Sequence, residues 1–248
     1  MKIKTAALSY DEVMALPPEE HRKPLRPSRA ARRLLKTLSA PELKKVNFQC
    51  RYEGMERLKD DEPCLILMNH SSFTDLMIIS KLLADRQYHI VMTNDGFVGK
   101  AGLMQKVGCI PVRKFIMDTD VIKDMIYCTK NLNSSVLMYP EASYTFDGTQ
   151  TNLPKSIGKF VKLLHVPVVM IRTKGAFLRD PLYNNLQKRK ADVSATETYL
   201  LSKEEIDAKS VQEINEIIGE AFKYDHFKEQ FESGVKISEQ FRADGLER

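Results

Sequence analysis

Cys64-Leu65-Ile66-Leu67-Met68-Asn69-His70-Ser71-Ser72-Phe73-Thr74-Asp75-Leu76-Met77-Ile78-Ile79-Ser80-Lys81-Leu82-Leu83-Ala84 changes its period partway. The apolar run Cys64–Met68 is short enough for a buried strand, and Asp75–Ala84 carries apolar residues at helical spacing. A strand running straight into a helix is half of a βαβ unit, and the same alternation recurs on both sides of it. Strand-like runs stand at Val46–Tyr52, Tyr88–Met92, Cys109–Val112, Ser135–Tyr139, Val166–Ile171 and Val193–Leu201. Helical patterns fill Lys100–Val107, Asp118–Leu132, Lys155–Leu164 and Val211–Phe222, the last entered by a Ser210-x-x-Glu213 capping box. Strands alternating with helices of this length predict an α/β fold, a mixed and largely parallel sheet flanked by helices.

Upstream of the alternation the chain is basic. From Arg22 to Lys45 there are nine Lys and Arg against one acid, Glu42. Ala31, Leu34, Leu35 and Leu38 recur there at helical spacing, with Arg29, Arg32, Arg33 and Lys36 elsewhere around the turn. Two readings are open: a helix lying on an anionic membrane, or a solvated basic helix that packs its leucines on the domain. The chain is accordingly divided into a basic docking segment over 1–45, an α/β domain over 46–222 and a charged tail over 223–248. Phe227, Phe231 and Phe241 are the tail's candidate anchors.

The bulk numbers exclude several classes. A chain of 248 residues with 43% hydrophobic and 29% charged residues has the composition of an ordinary globular protein. A net charge of +5 gives no argument for nucleic acid. No apolar stretch reaches the ~18–20 residues that span a bilayer, the longest candidate, Leu163–Ile171, being broken by His165 and Pro167. Cys50, Cys64, Cys109 and Cys128 form no C-x-x-C pair, which argues against zinc or a redox motif and suits a reducing compartment. The expected location is cytoplasmic, on the inner face of a membrane.

The chemistry concentrates after two strands. His70 and Asp75 are five residues apart, about 140° around a helix, so they cannot pair inside one. They can pair if His70 lies in the strand-to-helix turn, Ser72 caps the helix and Asp75 is its third residue, leaning back toward the N-terminus. That arrangement makes a base with an orienting carboxylate. The alternative is a Ser72-x-x-Asp75 cap beside an incidental histidine. Glu141, in Tyr139-Pro140-Glu141-Ala142-Ser143, also follows a strand, and the carboxyl ends of strands are where open α/β sheets bind ligands. Gly108-Cys109-Ile110-Pro111-Val112-Arg113-Lys114 ends a strand on two cations suited to a phosphate. Ser143 lacks the glycine-flanked elbow of a hydrolase nucleophile, and Asp95–Lys100 lacks the spacing of a P-loop.

Asn69-His70-x4-Asp75, then Gly108-x-Ile110-Pro111-Val112, then Pro140-Glu141 before small residues, then Val166-Pro167-Val168-Val169, resemble in order the glycerolipid acyltransferase family that includes 1-acylglycerol-3-phosphate acyltransferases. The resemblance covers roughly 46–177. It implies acyl transfer from acyl-CoA or acyl carrier protein to a lysophospholipid hydroxyl, with lysophosphatidic acid as the default acceptor and no cofactor or metal. His70 would be the general base, Asp75 its orienter and Glu141 an acceptor-positioning group, with Arg113 and Lys114 meeting the phosphate. Two departures stand out. Tyr144 occupies the place where the family commonly has a phosphate-binding arginine, and Arg113-Lys114 replaces the usual Asp-Arg. The competing expectations are a thioesterase or lipid hydrolase using the same His–Asp pair, and a membrane-binding protein that keeps the fold without turnover.

Overall fold

A computed structural model describes residues 9–15, 21–97, 99–113, 118–180 and 188–234. It opens with helices α1 (Tyr10–Met14) and α2 (Arg29–Lys45), followed by strand β1 (Gln49–Glu53). Then come β2 (Leu65–Met68), α3 (Thr74–Leu82), β3 (Tyr88–Thr93), α4 (Ala101–Val107), β4 (Cys109–Val112), α5 (Thr119–Lys130) and β5 (Ser135–Met138). The chain continues through α6 (Ile157–Leu164), β6 (Val168–Lys174), α7 (Ala176–Arg179) and β7 (Ser194–Leu201) to α8 (Lys203–Ala208), α9 (Val211–Phe222) and α10 (His226–Ser233).

The strands form one seven-stranded sheet in the order β1-β7-β6-β2-β5-β3-β4. Every pairing is parallel except β6 with β7, so the sheet is mixed and largely parallel as the alternation predicts. All four residues of β2 are buried, because helices cover both faces. The two-residue period sorts them: Ile66 and Met68 join Leu43, Ile78, Ile79 and Ala176 in one core, while Leu65 and Leu67 join Val161, Leu164, Ile214 and Ile218 in the other. Full burial of each such side chain contributes roughly 1.5–3 kcal/mol, and this double layer holds the middle of the sheet rigid beneath the loops that follow β2 and β5.

Several boundaries differ from the periodicity. β1 begins three residues later than expected because α2 runs to Lys45, and the chain must turn through Asn47, at φ 45°, before it can extend. Asn tolerates that left-handed conformation better than most residues. α2 itself settles the packing of its leucines. Leu34 and Leu38 are 60% and 68% exposed, whereas the domain-facing side is Ser39, Glu42 and Leu43. Arg32 departs from the outward basic set: its Nη2 donates to the carbonyls of Leu83 and Arg86, and its guanidinium lies over the Tyr88 ring at 3.9 Å. Glu42, the lone acid of the basic run, is buried. Its Oε1 accepts from Nε and Nη2 of Arg179 at 2.8 and 2.5 Å, which fastens α2 to α7.

The first part of the charged tail is ordered as α10. His226 is buried, its N–H donates to the Gly148 carbonyl, and Lys174 Nζ meets Glu229 Oε1 at 2.6 Å. Phe227 packs edge-on against Phe177 at 6.4 Å and stays half exposed, while Phe231 is 88% exposed. Phe241 lies outside the described residues.

Candidate active site

β2 and β5 are adjacent and parallel, with Leu67 opposite Met138. His70 stands three residues beyond Leu67, and Glu141 three beyond Met138. The sheet register therefore carries both to the same edge, at the strand carboxyl ends. Glu141 is buried, and its Oε2 accepts the backbone N–H of His70 at 3.1 Å. Its Oε1 accepts the N–H and hydroxyl of Thr151 at 2.8 and 3.1 Å. The carbonyl of His70 in turn accepts the N–H of Thr145 at 2.8 Å. Both backbone groups of His70 are thus held by the loop that follows β5.

Asp75 closes the pair. Its Oδ2 lies 2.9 Å from His70 Nδ1 and accepts the N–H groups of Ser71 and Ser72 at 2.8 and 3.2 Å. A carboxylate that already accepts two amides makes Nδ1 the protonated nitrogen and leaves Nε2 as the basic one. The two sequence readings of Asp75 therefore hold together, since the same oxygen ties down the helix entry and orients the imidazole. The expected cap differs in register. α3 begins at Thr74, with Phe73 at the capping position, so Asp75 is the second helical residue. Ser72 Oγ accepts the N–H of Thr74 at 3.1 Å. Ser72 and Asp75 thus share the helix entry, the hydroxyl taking the Thr74 N–H and the carboxylate the N–H groups of Ser71 and Ser72. Asp75 is 1% exposed, and its Oδ1 has no hydrogen-bond partner among the described residues.

The imidazole lies between two rings. Tyr139 stacks on one side at 3.8 Å and Tyr144 at 3.9 Å, with Phe73 tilted against Tyr144 at 5.3 Å. Burial pushes the Tyr139 phenol well above its usual range. It pushes Tyr144 to about 12, with the charges of Asp75 and Asp180 adding to the effect. Asp180, which follows α7, is 5% exposed and has an unpartnered Oδ1. Burial and the charge of Asp75 raise its carboxyl to about 6, against the Ser72 hydroxyl and the weaker pull of Lys188 and Arg179. Gly175 permits the turn into α7, at φ 76° and with its Cα against the Asp192 carbonyl, where a side chain has no room.

The structure does not gather every expected residue. Arg113 lies past β4, three strands from β2, or about 14 Å across the sheet at the usual strand spacing. Its Nε and Nη2 donate to Asp118 at 3.1 and 3.0 Å, which holds the Asp118 carboxyl down to about 2. Lys114 lies outside the described residues. Among the described residues no group of three or more His, Cys, Asp and Glu is placed to hold a metal ion. Tyr139 stands in the motif that carries Glu141, where nothing in sequence gave it a role of its own, and Thr151 and Asp180 were not expected at the site. Tyr144 was visible as a departure, but its ring stacking was not, and Thr151 and Asp180 carry no motif that marks them.

A His–Asp pair at the carboxyl edge of a doubly covered sheet is an arrangement able to take a proton from a hydroxyl or a water. The model of a family described as Acyltransferase matches residues 49–174, from β1 to the end of β6. The chain therefore belongs to that family and is an acyltransferase. In fold it is similar to the crystal structure of the 1-acyl-sn-glycerophosphate (LPA) acyltransferase PlsC from Thermotoga maritima, with a TM-score of 0.60 at 15% identity. That similarity covers 84% of this chain and 81% of the other.

Proposed function

We propose that the chain transfers a fatty acyl group from an acyl thioester, acyl-CoA or acyl carrier protein, to a hydroxyl of a lysophospholipid-type acceptor at a membrane surface. The observation that carries this reading is the His70 Nδ1–Asp75 Oδ2 contact of 2.9 Å, which leaves Nε2 to take the acceptor's proton. The acceptor oxygen attacks the thioester carbonyl as its proton moves to Nε2. The C–S bond then breaks, and the thiolate leaves with that proton from the imidazolium. An ester and a thiol are the products, and Asp75 supports the transient charge on the ring.

The surroundings suit a lipid. Phe73, Leu76 and Phe146 are exposed at 51, 43 and 62%, and Phe73 borders the rings over His70, so the approach to the base includes apolar surface. No helix among the described residues is long and apolar enough to cross a membrane. α2, with exposed Leu34 and Leu38 beside Arg29, Arg33 and Lys36, supplies apolar and basic groups on one element for docking from the inner face. A phosphate contact through Arg113 and Lys114 belongs to the same proposal, with the condition that Arg113 leaves Asp118. A tenfold or greater rise in acceptor KM on Arg113→Ala supports that contact; an unchanged KM assigns the head group to other residues.

The test is thiol release from palmitoyl-CoA with and without lysolipid, followed by identification of the product. Thiol release that requires the lysolipid and yields the diacyl product supports transfer. Release at the same rate without acceptor would identify a thioesterase instead.

A further inference from the structure

The transfer reaction proposed above leaves the acceptor's head group open, and the groups beside His70 bear on it. Tyr144 lays its ring over the imidazole at 3.9 Å and meets the half-exposed Phe73 at 5.3 Å, so aromatic faces line one side of the base. Asp180 lies near enough to Tyr144, Asp75 and the Ser72 hydroxyl for their charges and dipoles to act on it. It is 5% exposed, yet its Oδ1 has no partner among the described residues. The two cations that act on it are committed elsewhere. Arg179 donates to Glu42 and to the Arg189 carbonyl, and Lys188 Nζ lies 3.2 Å from Glu42 Oε2.

A buried carboxylate oxygen without a donor is costly, and the cost disappears when a ligand supplies an N–H. The electron-rich faces of the neighbouring rings favour a cation and repel an anion. A phosphate monoester brought to this position would set its negative charge against two carboxylates, Asp75 and Asp180. A primary ammonium satisfies both surfaces at once, with one N–H to Oδ1 and its charge beside the ring.

We propose that Tyr144 and Asp180 form the head-group subsite of the acceptor, selecting a lysolipid that carries a primary ammonium over one that ends in a phosphate monoester. The inference rests on the acyltransferase reading and names its substrate class. Asp180 is the specificity-determining residue, and Tyr144 supplies both the cover over the base and the face for the cation.

The experiment compares kcat/KM for lysophosphatidylethanolamine, lysophosphatidic acid and neutral monoacylglycerol, with palmitoyl-CoA as donor. All three are presented at equal mole fraction in mixed micelles of a nonionic detergent. The wild-type protein is expected to favour the ammonium acceptor over the phosphate monoester by about 10-fold or more, the range of a charge-assisted hydrogen bond. Asp180→Asn is expected to bring that ratio close to one. A preference for lysophosphatidic acid, or no preference, in the wild-type protein would overturn the inference and leave the transfer reaction standing. An equal loss on all three acceptors in Asp180→Asn would also overturn it, as a structural role. Failure of the wild-type protein to acylate any of the three would remove the transfer reading and this inference together.

Discussion

Glu141 holds His70 through the backbone and not through the ring, its Oε2 accepting the histidine N–H at 3.1 Å while Oε1 is bound to Thr151. With both carboxylate oxygens occupied by the protein, Glu141 is placed to position the loop that carries His70, whereas the sequence resemblance makes it an acceptor contact. Glu141→Gln keeps one acceptor oxygen and turns the other into an NH2 donor, so either the His70 or the Thr151 N–H is left without an acceptor and the loop carrying His70 loses its fixed position. The expected result is a fall in kcat of at least 10-fold, the scale on which ~1 Å misplacements act, with acceptor KM within twofold. A rise in acceptor KM at unchanged kcat would assign Glu141 to the acceptor instead, as the sequence resemblance implies.

The Glu42–Arg179 pair joins α2 to α7 with both side chains buried, at 2.5 Å between Arg179 Nη2 and Glu42 Oε1. Removing one partner leaves the other charge buried alone, a loss of about 3–5 kcal/mol. Glu42→Ala should therefore lower the denaturant midpoint strongly. Lys45→Ala, whose Nζ is 4.0 Å from Glu42 and whose side chain is 67% exposed, should leave it within about 0.5 kcal/mol. Comparable effects from the two would mean that Glu42 is not the anchor.

Glu197 lies on β7 in the same register as Ala195 and Tyr199, facing the core beneath α2 and α3. Burial raises its carboxyl from 4.5 to about 7, against the opposing Arg86 charge. The folded state then holds a proton that the unfolded state gives up near pH 4.5, so folded stability falls as pH rises from about 4.5 to 7. Glu197→Gln should stabilise the protein at pH 8, by up to about 3 kcal/mol, and change little at pH 4. Thermal melts at the two pH values check the sign, and an equal effect at both would contradict it.

Much of this was legible in sequence, for reasons specific to each residue. The order of strands and helices follows from period: Ile66 and Met68 face one core and Leu65 and Leu67 the other, as an apolar strand between two helical layers must arrange them. The His70–Asp75 pair was readable because a spacing of five allows contact only across a strand-to-helix turn. The tertiary partners were not. Asp180 and Thr151 reach His70's surroundings from 110 and 81 residues away in sequence, and nothing local marks a carboxylate whose role depends on what folds against it. Arg32 looked like part of the basic face and turned inward, because the Tyr88 ring and two carbonyls on the α3–β3 connection offered its guanidinium a half-buried seat.

α2 makes the membrane part of the account testable without touching the fold. Leu34 and Leu38 are exposed, and among the described residues Arg33 and Lys36 make no ion pair that their loss would break. Replacing Leu34 and Leu38 by Ser, with Arg33 and Lys36 by Gln, should cut binding to anionic vesicles by 10-fold or more, given about 1 kcal/mol per basic residue near such a surface. Sedimentation with anionic and zwitterionic liposomes measures it. Equal binding by the variant and the wild-type protein would place docking elsewhere.

The central claim is that His70 takes the proton of the attacking hydroxyl, oriented by Asp75. Its most direct measurement is the single-turnover rate of acyl transfer from palmitoyl-CoA to a lysophospholipid in wild type, His70→Ala and Asp75→Asn, with folding confirmed by matching melts. A positioned general base contributes about 10²–10⁴-fold. The account predicts a loss of that order in His70→Ala and a comparable loss in Asp75→Asn, where Nδ1 no longer has a carboxylate to hold it. A folded His70→Ala protein that keeps more than about a tenth of the wild-type rate would contradict the account.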